Sequence, residues 1–144
     1  MNLENAPSCY LSVRIKNRHK ANDIRSQLQD RGVRVYNPCD ITPVGIPPSD
    51  FPRYVAEACY AMMEKSSSTV LIAGSGDDFG RDCSTELGYT VAARKPVYIL
   101  VDEGKLPVAR GNVALVLPRH VFDFSDTQFF DSVDSLALTL SVVK

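Results

Sequence analysis

Apolar and polar positions along this chain follow two rhythms that take turns. Residues 10–15 (YLSVRI) form a short β-rich run. Residues 20–31 set Ala21, Ile24 and Leu28 three and four positions apart, the spacing of one helix face, and Gly32 closes the segment. Residues 33–36 make a second short strand, ended by Asn37-Pro38. The stretch 37–52 holds five prolines and one glycine, so it reads as a long loop, and such loops in compact domains often line sites. Residues 54–65 place Val55, Ala58, Cys59 and Met62 on one side of a helix. The unbroken apolar run 69–73 (TVLIA) suits a strand of a parallel sheet covered on both faces. A Gly/Asp loop at 74–80, a helix at 82–94 and a buried strand at 96–101 follow. Residues 113–117 are the candidate for a fifth strand, and 131–142 form a closing helix.

Strands alternating with helices imply right-handed β-α-β units around a parallel sheet. The expected fold is α/β, a three-layer flavodoxin/Rossmann-like domain over residues 1–144 with five strands in the order 2-1-3-4-5. In such sheets ligands bind at the C-terminal strand ends near the point where strand order reverses. The loops that would meet there are 12–18, 37–52 and 74–81.

Composition narrows the function classes. The 144 residues are 44% hydrophobic and 23% charged, an ordinary globular balance. A net charge of −1 supplies no global field to recruit a nucleic-acid polymer or an anionic membrane. The N-terminal MNLENAPSC lacks the look of a signal peptide, and runs such as VYILV are too short to span a bilayer. The four cysteines, Cys9, Cys39, Cys59 and Cys83, contain no CxxC pair, which argues against a zinc knuckle or a disulfide framework. A reduced, cytoplasmic protein is the economical inference. His19 and His120 have no partner at ligand spacing, so neither a metal nor a cofactor is expected.

Candidate chemistry concentrates in residues 80–100. Asp82 and Glu86 lie four residues apart, on one helix face and within the expected first turn, where the macrodipole favours negative charge. A glutamate there suits a nucleophile, whereas an N-cap and a solvated charge are the plain alternative. The segment GSGDDFGRD (74–82) resembles a phosphate cradle but lacks the P-loop lysine and the GxGxxG spacing. Its aspartates suit ribose hydroxyls, or a solvated turn. The basic run RIKNRHK (14–20) follows strand one and reads either as a phosphate-binding loop or as a solvated helix start. Ser66, Ser67 and Ser68 read as a turn, since no GxSxG elbow is present.

Together, CYLS at strand one, VYNPCDI after strand two, STELGYTVAARKPVYIL across the third helix and fourth strand, and GNVAL near residue 112 resemble the nucleoside 2-deoxyribosyltransferase superfamily. That superfamily includes deoxynucleoside-monophosphate N-glycosidases. The resemblance implies that Glu86 is the nucleophile, with Tyr10 hydrogen-bonded to it; the acid for the leaving base is read from the residues as Asp82, an approximate substitute beside a like charge. It implies a substrate pocket drawing on Ser12, Arg14, Asn37, Gly74, Asp78 and Tyr89. It also implies that Asn112 reaches the sugar's 5′ end from a neighbouring subunit, so that the protein is a homodimer or larger.

The implied reaction is attack by the carboxylate on the anomeric carbon of a 2-deoxyribonucleoside or its 5′-monophosphate, through an oxocarbenium-like transition state. Transfer to another base or hydrolysis would complete it. The basic 14–20 run favours the 5′-phosphorylated substrate. Departures from the family pattern keep a second reading open: SVRIKNR replaces a glycine- and proline-rich loop, and Ser68 and Gly80 stand where members carry acids. On that reading the domain binds a nucleotide, to sense or sequester it, without turnover. A third reading is an NAD glycohydrolase.

Overall fold

The computed structural model describes residues 6–13, 17–73, 80–101 and 127–142. The elements in chain order are β1 (Ser8–Ser12), α1 (Arg18–Asp30), β2 (Arg34–Tyr36), α2 (Phe51–Lys65), β3 (Thr69–Ala73), α3 (Gly80–Ala92), β4 (Val97–Val101), β5 (Thr127–Phe130) and α4 (Val133–Val142). All strand pairings are parallel, and the sheet runs β2-β1-β3-β4-β5, as expected from the sequence. The fifth place belongs to Thr127–Phe130 rather than to the expected 113–117, which lies outside the described residues. Half-buried at its two ends and exposed between them, TQFF carries a weaker apolar signal than the runs in β3 and β4. Among the described residues no helix is long and apolar enough to cross a membrane.

Period-two alternation divides the sheet into two unequal faces. Cys9, Leu11, Val70, Ile72, Tyr98 and Leu100 point to one side, where they meet Ala21, Ile24 and Leu28 of α1 and Leu136, Ala137 and Leu140 of α4. On the other side Leu71, Val97 and Ile99 pack against Cys83 and Leu87 of α3. Here β1 contributes no apolar aliphatic side chain, only Ser8, Tyr10 and Ser12, all buried. That polar row within a buried strand borders the candidate site.

The long loop is more ordered than its prolines suggest. Two 3₁₀ turns, Pro38–Asp40 and Pro48–Asp50, each open on a proline whose fixed φ suits a helical start. α2 then begins at Phe51, three residues earlier than its periodicity indicates, with Pro52 tolerated in the first turn. Its inward side is Ala58, Cys59, Met62 and Met63, whereas Val55, expected on that side, is 37% exposed.

α3 ends at Ala92, two residues short of expectation, because Arg94 adopts a left-handed conformation (φ 58°). The turn is held by Arg94 N–H donating to the Val91 carbonyl and Lys95 N–H to the Thr90 carbonyl. Lys95 Nζ continues into the C-terminus of α2, donating to the carbonyls of Met63 and Glu64. Left-handed geometry is unfavourable for a residue with a Cβ and natural for glycine at this cap position. Arg94→Gly is therefore expected to raise folding stability by about 0.5–1 kcal/mol, read as a higher urea midpoint with an unchanged m-value.

Candidate active site

Four side chains of α3 face the sheet: Cys83, Glu86, Leu87 and Thr90, at the i, i+3, i+4, i+7 spacing of a core-facing stripe. One of the four is a carboxylate. Glu86 is 9% exposed, and no apolar neighbour can compensate its charge. The compensation comes from the polar row of β1. Ser12 Oγ donates to Glu86 Oε1 at 3.3 Å. The Tyr10 hydroxyl lies near the same carboxylate and near the Cys59 thiol of α2, without completing a hydrogen bond to either. Tyr10 Oη and Glu86 Oε2 are both buried.

Glu86 stands six positions beyond Gly80, so it lies in the second turn of α3 and not in the first. The macrodipole fades beyond the first turn. On the strand side this carboxylate is met by the Ser12 hydroxyl, with the Tyr10 hydroxyl beside it. Asp82 lies one turn earlier, inside the helix, and so is not its N-cap residue.

Ser12 ends β1, and β1 lies between β2 and β3, where the chain reverses its direction of travel across the sheet. Glu86 and Ser12 therefore meet at the crevice where open α/β sheets bind ligands. Cys39 lies near this edge on the turn after β2. Burial and the neighbouring Asp40 raise its thiol pKa, Arg18 and Arg25 oppose them, and the charge of Glu86 adds a further upward push. Arg25 is ion-paired with Asp40. Arg18, the first residue of α1 and a member of the basic run, lies at this edge of the sheet.

The remaining sequence candidates fall into three groups. Asn37 is buried at the end of β2, where its Oδ1 accepts from the Cys39 amide at 3.0 Å and its Nδ2 donates to Asn22 Oδ1 at 3.2 Å. Its amide thus shapes the turn carrying Cys39. Tyr89, one turn after Glu86, stacks its ring on Tyr60 of α2 at a centroid distance of 5.6 Å and 56°. Arg14, Gly74, Asp78 and Asn112 lie outside the described residues. Cys59 and Thr90 were not read as site residues. Cys59 looked like helix packing, and the stripe through Cys83, Leu87 and Thr90 was the signal that Glu86 points inward.

No protein-family model matches the chain, and no curated protein matches it by sequence. Solved structures do. A 2-deoxyribosyltransferase from the psychrotolerant bacterium Bacillus psychrosaccharolyticus is similar at TM-score 0.63 and 18% identity, over 92% of this chain and 95% of that one. A conserved protein from Enterococcus faecalis gives 0.58 and 15%, over 94% and 97%. A CMP N-glycosidase from Clostridium botulinum gives 0.58 and 15%, over 94% and 99%. The chain has the fold of these proteins along nearly its whole length.

Burial acts on both ionisable neighbours of β1. It pushes the Cys9 thiol from 9.0 up to about 12. It also raises Tyr10 far above its ordinary 10.0, with the negative charge of Glu86 the next cause. Unfolded, the two groups lose their protons near their ordinary values; folded, they keep them. Their contribution to stability is complete below pH 9 and is lost as pH rises through the range above it, at about 1.4 kcal/mol per pH unit for each group. Urea midpoints measured from about pH 8 to about pH 11 are expected to fall, and Tyr10→Phe to flatten the slope above about pH 10.

Proposed function

We propose that the chain is a divergent member of the nucleoside 2-deoxyribosyltransferase superfamily, cleaving or transferring the N-glycosidic bond of a 2-deoxyribonucleoside or its 5′-monophosphate. The observation that carries this reading is the buried Glu86 carboxylate, met by Ser12 at 3.3 Å and facing Tyr10 at the switch point of the sheet. The fold shared with a 2-deoxyribosyltransferase and a CMP N-glycosidase supports it. The second of these neighbours extends the candidate substrates to ribonucleoside monophosphates.

In the proposed reaction a Glu86 oxygen attacks the anomeric carbon while the bond to the base breaks. The bond electrons leave with the base, which takes a proton from the Asp82 carboxyl. The sugar is then held as an ester of Glu86. Water, deprotonated by Asp82, or the nitrogen of a second base displaces it and restores the carboxylate. Ser12 and Tyr10 orient Glu86, so Ser12 serves the nucleophile rather than the substrate directly. Arg18 at the mouth, with Arg14 in the same basic run, is the proposed partner of a 5′-phosphate. Gly74 and Asp78 are assigned to the sugar side of the pocket, and Tyr89 to its wall.

Purified protein incubated with deoxynucleosides, their monophosphates and CMP is expected to release free base, most rapidly from a monophosphate. Glu86→Gln is expected to abolish release. Tyr10→Phe is expected to slow it by about 10²-fold, the scale on which a misplaced reacting group loses rate. Equal background release by wild type and Glu86→Gln sinks the proposal. Tight nucleotide binding by calorimetry with no turnover would mark a binding module instead, and nicotinamide release from NAD a glycohydrolase.

Asn112 is proposed to complete the pocket of a second copy. The solvent face of α2, with Tyr54, Val55 and Tyr60 exposed, provides apolar surface for such an assembly. Light scattering at micromolar concentration is expected to give at least a dimer, and a monomer removes Asn112 from the site.

A further inference from the structure

We infer that Thr69 and Thr90 act as a positioning pair for Glu86, fixing the turn of α3 that carries the nucleophile to the strands that carry its hydroxyl partners. The proton count sets the direction of the contact. Thr90 Oγ1 lies 2.8 Å from the Glu86 carbonyl oxygen, which can only accept, so the single Thr90 hydroxyl proton is committed there. Thr69 Oγ1 lies 2.7 Å from Thr90 Oγ1 and must therefore donate to it. A directed chain runs from Thr69 to Thr90 to the Glu86 peptide, and both threonines are 1% exposed. In such surroundings neither hydroxyl has water as a competing partner.

The anchor of this chain is the sheet itself. Thr69 opens β3, donates its amide to the Pro96 carbonyl at 3.1 Å and pairs in register with Tyr10 of β1. The strand position beside Tyr10 is thus tied to the helix residue that Tyr10 faces. Helical hydrogen bonding alone would hold Glu86 within α3, but it would not fix the height of the helix on the apolar layer that Cys83 and Leu87 form with Leu71, Val97 and Ile99. The Ser12–Glu86 contact is long at 3.3 Å, and a small displacement would break it. The inference concerns Thr69 and Thr90 as positioning residues; its catalytic consequence rests on the reading of Glu86 as nucleophile.

The test compares Thr69→Val, which keeps the shape and removes the donor, with Thr69→Ser, which keeps the donor. Base release by Thr69→Val is expected to show kcat reduced about tenfold with KM little changed, as for a displaced reacting group, and Thr69→Ser to restore it. A second readout does not need turnover: the carboxyl carbon resonance of Glu86 in ¹³C-glutamate-labelled protein, identified by its loss in Glu86→Gln. It is expected to move in Thr69→Val and to return in Thr69→Ser. If wild type releases no base, the proposed reaction fails while the resonance still decides the positioning role. Thr69→Val that lowers only thermal stability, leaving kcat and the resonance in place, overturns the inference. Equal impairment in Thr69→Ser does the same, because it assigns the effect to the lost methyl group.

Discussion

Removing a carboxylate from water is unfavourable unless hydrogen-bond donors meet it, and at Glu86 a buried strand supplies one from Ser12, with the Tyr10 hydroxyl two residues earlier close by. The pentapeptide SCYLS serves both faces of the sheet. Cys9 and Leu11 join the apolar layer under α1 and α4, while Tyr10 and Ser12 turn to α3. A shift of one residue in register would put both hydroxyls into the apolar layer and leave the charge uncompensated. The pairing of β1 with β2 and β3 therefore does more than close the sheet: it decides which side chains reach the carboxylate.

The same division explains why Cys9 and Tyr10, adjacent in sequence, respond differently to their surroundings. Both are fully buried, and burial raises the pKa of both. Only Tyr10 also feels the charge of Glu86, because only its face of the sheet carries one. A phenol that keeps its proton remains a donor, the form in which it can hold a carboxylate. The partnership is self-consistent: the charge that needs the donor is among the causes that keep the donor protonated.

Much of the fold was legible because parallel strands covered on both faces become continuous apolar runs, as in TVLIA and VYILV, and because α1 repeats at Ala21, Ile24 and Leu28. Those signals carried the order of the elements and the five-strand sheet. The edges were less legible. TQFF is half-exposed and short, α2 begins under a proline, and α3 is ended by an arginine in a left-handed conformation that only geometry reveals. Within the candidate site, the resemblance implies a hydrogen bond between Tyr10 and Glu86; the structure places the two side chains near each other without that bond. The hidden part was how the charge is compensated. The sequence pointed to a helix end, whereas the hydrogen bond that meets the carboxylate comes from Ser12, on a strand 74 positions earlier in the chain.

That distance in sequence also bears on how a fold can persist at 15–18% identity to similar structures. The sheet asks only for apolar bulk at alternate positions, which many side chains supply. A carboxylate on the buried stripe of α3 asks for far more: donors of defined position, a helix held at a defined height on the sheet, and neighbours that leave no competing partner. Glu86, Tyr10 and Ser12 meet the first demand, and the hydroxyl pair of Thr69 and Thr90 meets the second. Since a buried charge without such support is destabilising, the apolar alternatives at position 86 would give an easier core. On the proposed function, a carboxylate there is understood by what it does to a substrate that reaches the crevice, not by what it adds to the fold.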